Sequence, residues 1–171
     1  RSGGRHAQRQ GVVPAGGHRR RGKRTGHVGP GMERALDLTG GNREEAARLL
    51  VQNLRVIEPE LLLYCMPGSV ICRIAQEMGQ PVIREFYADR EYDLSGSIVF
   101  TRNVRGYEPQ AVAERVLRAC RQGVVRTVEG QDLAIEFDSI CLHSDTPGAL
   151  DLVEATRKAL DAAGIVVRAP R

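Results

Sequence analysis

The sequence predicts an α/β fold built on a mostly parallel sheet, and three observations carry that reading. Apolar runs of strand length alternate with stretches of helical period, so each strand is followed by a helix able to cross back over the sheet. Two runs, 124–128 and 133–137, are separated only by "EGQD" and read as one hairpin. The remaining four strand candidates are too few to close a barrel, which takes about eight.

The elements follow in order. Asn42 with Glu45 three residues on forms a helix-capping pair, and Ala46, Leu49, Leu50 and Leu54 supply an apolar stripe that ends near Pro59. "LLLYC" (61–65) is a continuous apolar run, the pattern of a strand buried on both faces. "PGSVICRIAQEMG" predicts a helix through Val70, Ile71, Ile74, Ala75 and Met78, stopped by Gly79. "PVIREFY" (81–87) is the next strand. A third helix runs from Pro109, suited to a first turn, to Gln122, with Glu114 and Arg118 spaced as an i, i+4 pair and Gly123 as its stop. "SICL" (139–142) is a short buried strand broken by "HSDTP". The last helix, 147–163, is expected to bury Leu150, Val153, Leu160 and Ala163 and to stop at Gly164. "IVVR" (165–168) then reads as a closing strand.

Charge divides the chain. Residues 1–27 carry eight basic side chains and no acidic one, whereas the rest sets 17 basic residues against 21 acidic, a net of −4. The segment 1–31, rich in Gly and Arg, has too little apolar content to offset its ordering entropy and is predicted to be a disordered leader to a domain at 32–171. It holds no Tyr, Phe or Trp for base stacking, so a solvated tail, or a start site or reading frame set too early, accounts for it better than a nucleic-acid arm. The four cysteines, Cys65, Cys72, Cys120 and Cys141, have spacings of 7, 48 and 21 that match no metal-ligand pattern, so no metal site is expected. They read as reduced, buried thiols, and with no apolar run of membrane-spanning length the expected location is the cytoplasm.

Two strand ends carry reactive groups. "REFYADREYDLSGSIVFTR" (84–102) holds seven charged residues, and in a parallel sheet its Asp89 and Arg90 leave a carboxyl-terminal strand end, where ligands bind. "HSDTP" leaves the other such end with His143 and Asp145. His143 is the one histidine beyond residue 27. Asp145 at i+2 either orients its imidazole or caps the following helix. Arg90 is a guanidinium able to clamp a carboxylate or phosphate. Glu85, in an otherwise apolar strand, needs a partner, and Arg102 supplies a second cation. No GxxxxGK phosphate loop occurs.

These stretches resemble the LamB/YcsF family. "EFYADREYDLSGSIVFTRNVRG" is similar to that family's E-x-F-A-D-R-x-Y-x-x-D-G-x-L-x-x-R-x-x-x-G pattern, "SICLHSDTPGAL" to its T-I-C-x-H-G-D-x-P-x-A, and "LLLYCMPGSV" to its strand followed by AGS. The resemblance covers roughly residues 42–168. It implies a partial irregular β/α barrel and a component of an ATP-dependent 5-oxoprolinase, which with subunits B and C opens 5-oxo-L-proline to L-glutamate. By position it implies catalytic roles for Asp89, Arg90, His143 and Asp145, and substrate or nucleotide contacts for Glu85, Tyr92 and Arg102. The family's Asp-Gly is Ser95-Gly96 here, its His-Gly-Asp is His143-Ser144-Asp145, and its H-V-K-P-H-G survives only as "HVGPGM". The chain is therefore expected to correspond to the carboxyl-terminal portion of such a protein. The competing expectation is a non-catalytic barrel fragment that acts by associating with partner subunits.

Overall fold

The computed structural model describes residues 30–99 and 106–169. The elements are α1 (Pro30–Leu38), α2 (Arg43–Ile57), β1 (Leu63–Cys65), α3 (Val70–Glu77), β2 (Val82–Tyr87), α4 (Pro109–Gln122), β3 (Val124–Arg126), β4 (Asp132–Ala134), β5 (Ser139–Cys141) and α5 (Ala149–Ala162). Strands β1, β2 and β5 form a parallel sheet in that order, and β3 and β4 pair as a separate antiparallel hairpin. Among the described residues the sheet does not close.

Local signals explain most boundaries. Asn42 caps α2, its side-chain oxygen accepting from the N–H groups of Glu44 and Glu45 at 3.1 and 3.2 Å. Ser69 does the same for α3 through Cys72 N–H. Pro109 sits in the first turn of α4, and Gly123, at φ 65°, ends it in the left-handed conformation that glycine adopts without strain.

The pleat sorts the sheet into two faces. The register pairs Leu63 with Val82, Glu85 with Ser139 and Tyr87 with Cys141. Leu63, Val82, Phe86 and Ile140 therefore share one face, and Tyr64, Ile83, Glu85, Tyr87, Ser139 and Cys141 the other. On the first face, Leu63 and Val82 pack on Ala47, Val51, Ile74 and Ala75 of α2 and α3. Phe86 and Ile140 pack with Val112 and Val116 of α4 and Leu152 and Leu160 of α5. Phe86 is fully buried, its ring 5.9 Å from Tyr92 and 5.3 Å from Phe137.

The structure corrects several expectations. An unforeseen helix, α1, precedes Asn42 and buries Ala35. Small residues, Ala46, Ala47 and Val51, form the buried face of α2, while Leu49, Leu50 and Leu54 lie at its margins. β1 is an edge strand, so Tyr64 is 45% exposed and the run is not buried on both faces. The face of α5 that meets α4 is Leu152, Thr156 and Leu160, which leaves Leu150 and Val153 exposed. Arg118 turns to Gln122 and Asp132 rather than to Glu114. "IVVR" forms no strand: Gly164 ends α5 and the Ile165 N–H is spent on Leu160 O at 2.9 Å, a helix-terminating contact. Arg102 lies outside the described residues.

Candidate active site

β2 and β5 run parallel and are short, so the loops that leave them emerge side by side. Pairing continues one residue past β2, where Ala88 N–H donates to Cys141 O at 3.0 Å. Beyond that point a side chain takes over from the ladder. Asp89, fully buried, accepts the backbone N–H of His143 at 2.9 Å through Oδ2, which stitches the two strand ends together.

Asp89 gathers three further donors. Its Oδ1 faces His143 Nδ1 at 2.7 Å, and its Oδ2 accepts from the Thr146 hydroxyl at 2.5 Å and Arg90 Nη1 at 3.2 Å. The proton positions follow from this network. Arg90 Nη1 also donates to Thr146 Oγ1 at 2.7 Å, so the hydroxyl hydrogen is directed to Asp89. Burial pushes the Asp89 carboxyl up, but the hydrogen bonds from Thr146 and His143 outweigh it and hold it below the usual range. An anionic Asp89 accepts from Nδ1–H, which leaves the lone pair on His143 Nε2. The ring is also held by Tyr87, whose edge meets it at a centroid distance of 4.9 Å and an angle of 87°.

Arg90 is committed to carboxylates. Besides Asp89 and Thr146 it reaches Asp145 Oδ1 through Nη2 at 2.7 Å. Asp145 therefore neither orients His143 nor caps α5, whose N-cap is Gly148; its side chain is 67% exposed and pairs with Arg90. The residue that orients His143 is Asp89, 54 positions away in sequence.

Arg115 of α4 holds the loop from behind. Its Nη1 donates to the carbonyls of Ala88 at 3.3 Å and Arg90 at 3.0 Å, on either side of Asp89, and its Nη2 reaches Glu91 at 2.9 Å. The connection then folds on itself. Tyr92 and Ile98 form an antiparallel bridge, Asp93 Oδ1 accepts from Ser95 and Ser97, and Val128 N–H donates to Tyr92 O at 2.9 Å. Tyr92 belongs to the hydrophobic core around Phe86. It is buried, its phenol oxygen accepts the Tyr87 N–H at 2.9 Å, and burial pushes its hydroxyl up to about 12. Glu85 is half-buried; burial raises its carboxyl and the nearby His143 offsets part of that.

The structure thus brings Asp89, Arg90, His143 and Asp145 into one cluster, sets Glu85 beside it and turns Tyr92 into the core. Thr146 and Arg115 escaped the sequence reading. Thr146 was visible inside "HSDTP", but an exposed loop hydroxyl and a buried one have the same sequence signature. Arg115 carried no signal, because nothing local marks a helix arginine that will reach two loop carbonyls. Among the described residues no group of three or more His, Cys, Asp or Glu is arranged to hold a metal ion.

Comparison with known proteins identifies the family. The LamB/YcsF family model matches residues 16–171, beginning inside the basic segment and so farther toward the amino terminus than the motifs alone reach. A Pseudomonas putida protein, named as the first of that organism's 5-oxoprolinase A-type subunits, is 87% identical over 153 residues, which are 90% of this chain and 60% of that protein. The Pseudomonas aeruginosa protein of the same name is 63% identical over 145 residues, 85% of this chain and 57% of its own length. The crystal structure of a lactam utilization protein from Thermus thermophilus superposes with a TM-score of 0.68 at 28% identity, covering 82% of this chain and 55% of that one. The chain spans about half to three-fifths of the length of these relatives. With its parallel β/α units and its match over residues 16–171, the chain belongs to the LamB/YcsF family.

Proposed function

We propose that the chain acts as part of the A-type subunit of a 5-oxoprolinase, which with subunits B and C opens 5-oxo-L-proline to L-glutamate at the expense of ATP. The observation that carries this reading is the Asp89–His143 pair, in a chain 87% identical to a protein of that name. Lactam hydrolysis needs a base to take a proton from the attacking group and an acid to return one to the departing nitrogen. His143, with Nδ1 fixed on Asp89 and the lone pair on Nε2, is built to do both in turn. Hydrogen bonds from Thr146 and His143 keep Asp89 ionised, and Asp145 keeps Arg90 in place.

ATP enters as the co-substrate of the assembled enzyme. Among the described residues no Gly-rich phosphate loop occurs and Arg90 is already engaged by two carboxylates, so these residues do not fit a nucleotide. None of the described helices is long and apolar enough to cross a membrane, and with four free thiols we place the protein in the cytoplasm. The chain alone is expected to turn over weakly or not at all, since it spans only part of its relatives. The test combines the chain with subunits B and C and follows ATP hydrolysis with and without 5-oxo-L-proline. Hydrolysis that depends on the lactam is the expected result; its absence from a folded, assembled complex would contradict the proposal.

A second reading, association without catalysis, is favoured by the edges of β1 and β5, which have no strand partner among the described residues, and by the exposed Leu61, Tyr64 and Leu150. Light scattering decides that reading. Self-association or a stable complex with the partner subunits is expected, and a monodisperse monomer that binds neither of them would reject it.

A further inference from the structure

The imidazole of His143 has one open nitrogen, and a thiol already stands beside it. Cys141 Sγ lies 3.9 Å from His143 Nε2, within hydrogen-bonding distance for sulfur. Because Nδ1 carries the proton directed to Asp89, the S–H is the donor and Nε2 the acceptor. Cys141, His143 and Asp89 thus form a continuous chain of thiol, imidazole and buried carboxylate, with distances of 3.9 and 2.7 Å. This is the nucleophile, base and orienting acid of thiol-dependent acyl transfer. Among the described residues, Cys141 is the one cysteine with an imidazole in reach.

We propose that Cys141 is the group that attacks the lactam carbonyl, with a glutamyl thioester as the intermediate; this rests on the 5-oxoprolinase reading above. In the first step the Cys141 proton moves to His143 Nε2 as sulfur bonds to the carbonyl carbon. The ring C–N bond then breaks, and the imidazolium proton passes to the departing nitrogen. In the second step water gives a proton to Nε2 and its oxygen bonds to the same carbon. The C–S bond breaks, the thiol recovers its proton and L-glutamate leaves. No electrons are exchanged with an outside donor. The resting thiol is neutral, since burial and the carboxylates of Glu85 and Asp89 push it up to about 11. Transfer to His143 must therefore accompany attack, as it does for a hydroxyl nucleophile.

The test uses the full chain combined with subunits B and C and compares wild type with Cys141→Ala and Cys141→Ser, each first shown to be folded by thermal unfolding. Both variants should lose about a thousand-fold or more in lactam turnover, because alanine removes the nucleophile and serine replaces the thiol with a much less nucleophilic hydroxyl. Acid quenching of wild type during turnover should leave a hydroxylamine-labile adduct on the Cys141 peptide. A wild type that turns over beside an alanine or serine variant within tenfold of it would overturn the inference and leave the proposed activity standing. If wild type shows no turnover, the proposed activity fails, and iodoacetamide then reads the cysteine directly. Cys141 should be alkylated more slowly in His143→Ala than in wild type, because the group that takes its proton is gone. Equal rates would overturn the inference.

Discussion

Replacing Asp89 by asparagine keeps the shape of the site and inverts its proton order. Three donors converge on Oδ2: His143 N–H, the Thr146 hydroxyl and Arg90 Nη1. One donor, His143 Nδ1–H, faces Oδ1. An amide can satisfy the three only by placing its oxygen there, and its NH₂ then faces Nδ1. The imidazole must accept at Nδ1 and carry its proton on Nε2, so the base is lost. Each of the three remaining bonds loses the charge on its acceptor, about 1 kcal/mol apiece and about 3 kcal/mol together. That is a large part of the roughly 5–15 kcal/mol that holds a domain of this kind folded. Denaturant unfolding measures the stability, and nitrogen chemical shifts of the histidine ring report the tautomer. Turnover in the complex should fall about ten-thousand-fold, as it does when the same change inverts a catalytic histidine in serine hydrolases. A variant within about 1 kcal/mol of wild type that keeps the Nδ1–H tautomer would refute the reasoning.

Other changes follow from the same contacts. Arg115→Lys should cost about 1–3 kcal/mol and reduce turnover nearly as much as Arg115→Ala, because an ammonium cannot span the Ala88 and Arg90 carbonyls and Glu91; turnover of the two variants and of wild type checks this. Glu85→Gln should raise stability slightly near pH 7. The folded carboxyl titrates above its unfolded value, so ionisation there opposes folding, and the gain should vanish as pH falls below about 4. Phe86→Ala should cost about 3–5 kcal/mol in denaturant unfolding, since it empties the contact between the sheet and α4 and α5. Asp89, Asp132 and Asp138 all titrate below their usual values, held down by hydrogen bonds from Thr146 and His143, from Arg118 and Arg126, and from Arg84 respectively. Their contribution is complete above about pH 4 and lost as pH falls through the lowered folded values, so an acid unfolding profile should be flat above about pH 5 and steepen below about pH 4.

Much of the architecture was legible because its signals are local. The Asn42 cap, Pro109 and Gly123, and the hairpin around Gly130 each act within four residues, and each of these elements stands where its signal puts it. What misled was tertiary choice. Which apolar stripe a helix buries depends on its partner: α5 meets α4 through Leu152, Thr156 and Leu160 although Leu150 and Val153 are equally apolar. "IVVR" has strand composition, yet the termination of α5 takes its first N–H. The site divides along the same line. Asp89, Arg90, His143 and Asp145 were visible as charged groups at two strand ends, but the bond that matters joins residues 54 positions apart. Sequence proximity offered Asp145 as either the partner of His143 or a cap for the next helix, and the parallel pairing of β2 and β5 supplied Asp89 as the partner instead.

The account rests on His143 as the base of a lactam-opening reaction, and one measurement addresses it most directly. L-Glutamate release from 5-oxo-L-proline, with ATP and subunits B and C present, should be readily detected with the native chain. It should fall by at least about a hundred-fold with folded His143→Ala. Equal glutamate release from the two proteins would contradict it.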